Sequence, residues 1–246
     1  MNKIIGISGK KQSGKNTVAN YINGHILKAK DMVQDFFVNE DGELVIKTTN
    51  HNNESGYGVL DVNRKDRTFK NYAETELWPY VKVYSFADDL KQICINIFGL
   101  TNQQVYGNNQ QKNSETNISW KDLPGSKKKK GKITSREFMQ YFGTTIVRKI
   151  KDDAWVFSTM NKIIKEDSEV AIIADVRFPN EVKAIKDAGG IVIRMTRDIF
   201  NDDHDCEKAL DKDNFDWDNF DHIVDNSNCS VEELCKMIEK KKSIWS

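Results

Sequence analysis

A nine-residue segment constrains this chain more than any other: GKKQSGKNT, residues 9–17, follows the apolar run KIIGIS (3–8) and leads into TVANYINGHILK. In that last stretch Val18, Ala19, Ile22 and Ile26 recur at helical spacing, so the segment reads as strand, tight loop, helix. That is the setting G-x-x-x-x-G-K requires. Glycine at 9 and 14 lets the backbone curl until successive N–H groups point inward, and the helix N-terminus adds positive potential, which together make a nest for phosphate oxygens. Lys15 would then reach the β- and γ-phosphates of a nucleotide. One departure stands out: Asn16 occupies the place where Ser or Thr usually holds magnesium, and Thr17 follows. Either Asn16 contributes its amide oxygen near the metal, or magnesium is held mainly by water and nucleotide, as that ion often is.

VAIIAD (170–175) is a continuous apolar run stopped by an acid, the pattern of a strand covered on both faces. Asp175 thus supplies the strand-end carboxylate that accompanies a phosphate loop. A helical stretch (NEVKAIKDA), a Gly189-Gly190 break and the run IVIRM follow, which predicts strand, helix, strand and a parallel sheet with a right-handed crossover. DHIVDN (221–226) reads as one more strand, and VEELCKMIEKK as a closing amphipathic helix with Ser230 as N-cap. The middle differs. Residues 39–71 are polar, with alternation in ELVIKTT and YGVLDVN that suits a β-hairpin carried as an insertion, and residues 107–132 are rich in breakers, as a mobile segment or lid would be.

The 37 Lys plus Arg balance 37 Asp plus Glu, so whole-molecule charge gives no attraction to nucleic acid or anionic lipid. No run of about 18 apolar residues occurs, and the opening MNKIIGISGK lacks the pattern of a secretory signal, so neither a membrane span nor secretion is expected. Cys94, Cys206, Cys229 and Cys235 lie apart with no C-x-x-C pair, and with His204 they lack zinc-ligand spacing. A reducing cytoplasm is expected. The acidic stretch from Asp198 to Asp225 reads as solvated.

GTPases read guanine with N-K-x-D after a buried strand; NRKD at 63–66 has the wrong order and lies in the polar insertion. Small-molecule kinases remain, and they need several cations around two anionic substrates, because phosphoryl transfer depends on positioning and charge stabilisation. Arg136 and Gln140 share a helix face in TSREFMQYFGTT, a helix introduced by Thr134 or Ser135 and expected to end before Gly143. Arg177 follows Asp175 at the carboxyl edge of the sheet, where ligands bind in open α/β folds. Lys91 falls on a helix beginning near Ala87, while the lysine run 127–130 reads as a solvated loop.

GKKQSGKNT, SFADDLK, TSREFMQYFGTT with Arg148 and Trp155 downstream, ADVRFPNE, and HDCEKALD followed by DHIVDNSNCSVEEL occur in this order. Together they resemble the bacteriophage deoxynucleoside monophosphate kinases, over most of the chain except roughly residues 30–80 and the lysine-rich loop. The resemblance implies a P-loop NTPase fold, three-layer α/β/α with a mostly parallel central sheet. It also implies a single kinase domain over 1–246, with an inserted segment at 31–80 and a flexible lid at 107–132. The implied reaction is transfer of the γ-phosphate of ATP to a deoxynucleoside monophosphate, with magnesium. By the same resemblance Gly9 and Gln12, Ser13, Gly14, Lys15, Asn16 and Thr17 form the ATP phosphate site, with Lys11 facing the acceptor phosphate. Leu90 and Lys91 line the acceptor pocket, in a segment matching A-x-P-L-K where Asp89 replaces the proline. Lys112 matches a basic acceptor-site position, Arg136, Gly143, Thr144 and Trp155 hold the acceptor, and Asp175, Arg177 and Glu181 complete the site. His204 and Glu207 match an H-x-x-E pattern without a role.

The expected catalytic set is Lys15, Arg136, Arg177 and Asp175, with magnesium near Asn16 and Thr17. Small nucleotides are the expected partners, without a membrane or stable nucleic acid; a homodimer is compatible with the sequence, and the location is the cytoplasm, a host's if the protein is viral. Another small-metabolite kinase of the phosphomevalonate type, a nucleic-acid-associated ATPase and a regulatory nucleotide-binding protein are the alternatives. Trp155 has an equally physical reading as a core aromatic.

Overall fold

Strands that are covered on both faces need near-continuous apolar runs, and residues 4–7, 170–174 and 191–193 supply them. The computed structural model describes residues 3–49, 53–62, 64, 66–126, 130–199, 208–241 and 244–245. Along it run β1 (Lys3–Ser8), α1 (Lys15–Ala29), β2 (Asp35–Val38), β3 (Leu44–Thr49), β4 (Ser55–Val59), α2 (Arg67–Glu76), β5 (Val81–Tyr84) and α3 (Asp88–Asn96). Next come α4 (Asn102–Tyr106), α5 (Asn109–Lys112), β6 (Glu115–Ser119), β7 (Lys132–Thr134), α6 (Ser135–Gln140), a π-helical turn (Tyr141–Val147) and α7 (Arg148–Ile150). The chain continues as α8 (Ala154–Glu166), β8 (Val170–Val176), α9 (Pro179–Asp187), β9 (Ile191–Met195), β10 (His222–Val224) and α10 (Val231–Glu239). The fold divides into two units: Met1–Ser85 with Thr159–Ser246, and Phe86–Ser158.

The first unit is built on a five-stranded sheet in the order β10-β9-β1-β8-β5, every pairing parallel. β8 and β9, consecutive in sequence, are separated by β1, so the crossover predicted between them spans the central strand. Ile5 and Ile7 of β1, Ile22 of α1, Ile172 of β8 and Ile193 of β9 are wholly buried together; each such side chain contributes about 1.5–3 kcal/mol of burial free energy. Between β1 and β8 the register slips: Gly6 faces Ile173 but Ser8 faces Val176. The extra residue in β8 falls at Ala174–Asp175, a bulge that re-aims side chains at the strand tip.

Within residues 31–80 the alternating runs pair as β3 and β4, antiparallel, and the short run DFFV adds β2 to make three strands. The turn between β2 and β3 reaches α1, where Asn20 Nδ2 donates to the Gly42 carbonyl at 2.8 Å. Asp66, the last residue of NRKD, caps α2 by accepting the Phe69 N–H at 2.9 Å. At the other end of the chain Ser230 caps α10, with Glu233 closing the capping box.

The second unit has its own core, with Cys94, Leu100, Val105, Trp120, Ile133 and Phe138 buried. Residues 107–126 carry α5 and β6, and Trp120 packs into that core, while residues 127–129 lie outside the described set. Thr134 caps α6 in a capping box with Glu137, which decides between the two candidate caps. The helix does not stop before Gly143 as expected. It widens into the π-helical turn, in which the Gly143 carbonyl accepts both the Arg148 N–H and Trp155 Nε1, the latter at 3.1 Å. Glycine serves close approach here rather than termination, since a Cβ at 143 would lie 2.8 Å from Leu90 Cδ2. Among the described residues no helix is long and apolar enough to cross a membrane.

Candidate active site

The loop between β1 and α1 has the backbone the sequence demanded. Gly14 has φ +88°, Gln12 is left-handed at φ +57°, and the Ser13 N–H turns back to the Lys10 carbonyl at 3.2 Å. Only glycine adopts the Gly14 conformation without strain. Ser13 is wholly buried, and its Oγ has no partner among the described residues; a Cβ on Gly9 would lie 2.4 Å from it. A buried hydroxyl and converging amides leave hydrogen-bonding capacity that a phosphate can take up. Lys15 is 8% exposed, and its Nζ donates to the carbonyls of Gly9 at 2.8 Å and Lys10 at 2.5 Å. Burial first, then the positive charges of Arg177 and Arg194, pull its pKa down to about 7 against the opposing Asp175 carboxylate. A partly discharged ammonium at this spot is poised to recover its proton beside a polyanion.

The two candidate neighbours of magnesium separate. Asn16 is exposed, whereas Thr17 is buried with its hydroxyl against Gly42: a Cβ there would lie 2.5 Å from Thr17 Oγ1. The polar insertion therefore covers Thr17 and leaves Asn16 on the open side. Among the described residues no group of three or more His, Cys, Asp or Glu side chains could cage a metal. A single carboxylate and an amide oxygen suit an ion that keeps most of its water and nucleotide oxygens.

At the tip of β8, Asp175 Oδ2 accepts the Ser85 hydroxyl at 2.5 Å. Arg177 follows at the sheet edge, and Glu181 holds that edge in place: its buried carboxylate accepts the N–H groups of Arg177 at 2.7 Å and Phe178 at 3.1 Å. Glu181, expected at the acceptor, thus acts on Arg177 from below. Lys11 lies half-buried on the loop itself.

Sequence reasoning missed Arg194. It is 4% exposed on β9, donates from Nη1 to Ser8 Oγ at 3.0 Å, pairs with Asp211 at 3.6 Å and faces the Trp217 ring at 5.1 Å. Asp211 also pairs with Lys10 of the loop at 2.7 Å. The acidic stretch is therefore not simply solvated; part of it packs beside the phosphate loop, with Leu210 and Phe220 buried. The signal was available in IVIRM, where an arginine interrupts a strand otherwise fit for burial.

In the second unit Arg136 donates from Nη2 to Asn109 Oδ1 at 2.8 Å, and its Nε has no partner among the described residues. Lys91 Nζ lies 5.1 Å from the centre of the Tyr106 ring, and Leu90 packs on Gly143. Thr144 is half-buried on the π-helical turn, and Lys112 closes α5. Trp155 is 7% exposed with its indole bonded to Gly143, so it is a core aromatic rather than an open stacking platform. One edge of it lines a concavity of about 410 Å³ with Asp89, Gln92 and Ser158, from which Leu90 and Lys91 are absent. His204, Cys206 and Glu207 lie outside the described residues.

A glycine-rich nest on a parallel sheet, with its buried lysine, a strand-tip Asp and an adjacent Arg, defines a phosphate-loop phosphotransferase. The family model described as deoxynucleotide monophosphate kinase matches residues 3–238. The chain belongs to that family, and it is a phosphotransferase that phosphorylates deoxynucleoside monophosphates with ATP as donor. It is also 31% identical over 140 residues to a protein of Acanthamoeba polyphaga mimivirus, provisionally named a deoxynucleotide monophosphate kinase; the match covers 51% of this chain and 67% of that protein.

Proposed function

We propose that residues 9–17 hold the triphosphate of ATP and that Lys15, Arg177 and Arg136 stabilise charge on the phosphoryl group in flight. The observation that carries this reading is the loop itself: Lys15 Nζ gathered by the Gly9 and Lys10 carbonyls, with a Ser13 hydroxyl that has no partner among the described residues. The acceptor is already an ionised phosphate, so no strong general base is needed. Asn16 and Asp175 are the residues that would hold magnesium, directly or through water; the ion supplies charge neutralisation across the donor phosphates. Glu181 fixes the Arg177 backbone, and Asn109 steadies Arg136. Lys11, Leu90, Lys91, Lys112, Gly143 and Thr144 are assigned to the acceptor side, and the 107–132 segment to screening it from water. The enzyme is assigned to the cytoplasm, where its nucleotide substrates are found.

The test is steady-state ADP release with each deoxy- and ribonucleoside monophosphate and with phosphomevalonate. At least one deoxynucleoside monophosphate should stimulate ADP release well above the acceptor-free rate. Stimulation by phosphomevalonate alone, or by no acceptor, would overturn the reading.

A further inference from the structure

Asn226 is wholly buried, in the connection between β10 and α10 whose sequence, NSNCS, reads as an ordinary polar loop. Burying a primary amide is costly unless its donors and acceptor are matched. Here the match comes from distant parts of the chain. Asn226 Nδ2 donates to the Ser13 carbonyl at 2.8 Å, and Oδ1 accepts the Arg197 N–H at 3.0 Å. Arg197 in turn braces the connection, its Nε donating to the Asn226 carbonyl at 3.0 Å and its Nη2 to the Cys229 carbonyl. The packing is close: a Cβ built on Gly14 would lie 3.4 Å from Asn226 Nδ2 and 3.1 Å from Leu234 Cδ2.

In a trans peptide the C=O and the following N–H point in opposite directions. Tying the Ser13 carbonyl to Asn226 therefore fixes the Gly14 N–H on the far side of the same peptide plane. We infer that Asn226, braced by Arg197, is a positioning residue for the donor phosphates: it pins the Ser13–Gly14 peptide so that the Gly14 N–H faces the bound polyphosphate. This rests on the assignment of residues 9–17 to ATP. Without that tie the peptide can flip, trading an inward donor for an inward carbonyl that repels phosphate.

Calorimetric titration with ATP and with inorganic tripolyphosphate, in the absence of any acceptor, tests the inference. Asn226→Ala should weaken both ligands about tenfold, the worth of one charge-assisted hydrogen bond. Ile238→Val, a core deletion in the helix that follows Asn226, measures how far lost stability alone weakens binding and should leave both ligands within about twofold. Asn226→Ser, with the same expectation, takes the place of the alanine variant if that one does not fold. Binding within about twofold of wild type in the Asn226 variant, or equal weakening in Ile238→Val, would overturn the inference. Because no acceptor is present, failure here leaves deoxynucleotide phosphorylation untouched. Conversely, a wild type that binds ATP but phosphorylates no deoxynucleotide would sink only the reading of the reaction.

Discussion

Lys15 in the first unit and Arg136 in the second are both cations assigned to phosphate, and they are held in opposite ways. Lys15 is buried and fixed by two main-chain carbonyls of its own loop. Among the described residues Arg136 is tied by the side-chain amide of the exposed Asn109, and its Nε has no partner. Backbone partners cannot be moved without refolding the loop, whereas an exposed amide can yield to a ligand. On the proposed assignment the donor side is preorganised and the acceptor side adjustable.

The sharpest way to break the comparison is at its rigid end. Lys15→Ala should lower kcat by about 10³-fold or more at unchanged fold; near-normal turnover would remove Lys15 from the mechanism. Next, Arg177→Ala should lower kcat by about 10²-fold, more than it raises the ATP KM, and a pure KM effect would make Arg177 a binding residue only. Glu181→Gln should follow it at about tenfold in kcat, since a neutral amide oxygen is a weaker acceptor than the charged Oε2 that takes both the Arg177 and Phe178 N–H groups. Equal kcat in that variant would separate Glu181 from Arg177. At the adjustable end, Asn109→Ala should raise the acceptor KM about threefold while the ATP KM stays put; a rise in the ATP KM instead would contradict the division.

The pH profile sharpens the same contrast. Lys15 in the free protein has its pKa pulled down to about 7, so it loses its charge as pH rises through that value. ATP binding needs the charged form, and the bound phosphates restore it. kcat/KM for ATP should therefore be highest below pH 7 and fall about tenfold per unit above it, with kcat at saturating ATP lacking that limb. A flat kcat/KM between pH 6 and 9 would show that the lysine is charged throughout.

Much of this was legible in the chain because it is local. The phosphate loop is a contiguous segment whose chemistry resides in backbone and one lysine, and the buried strands announce themselves as unbroken apolar runs. Ser230 caps the closing helix as its place before VEELCKMIEKK indicated. What stayed hidden depends on residues far apart in sequence. Asp211 meets Lys10, Arg194 meets Ser8, and Asn226 meets Ser13 only after the sheet assembles. Nothing in a polar loop marks which asparagine will be buried. The π-helical turn escaped for a related reason: Gly143 reads as a helix stop, and only the approach of Leu90 and Trp155 makes it a packing site instead. The third strand of the insertion, DFFV, was too short to show a period.

Transfer of label from γ-³²P-ATP tests the central claim most directly, followed with each deoxynucleoside monophosphate for wild type and Lys15→Ala. The label should appear in the deoxynucleoside diphosphate with wild type and about 10³-fold more slowly with the variant. Label released only as inorganic phosphate, or equal transfer by both proteins, would contradict it.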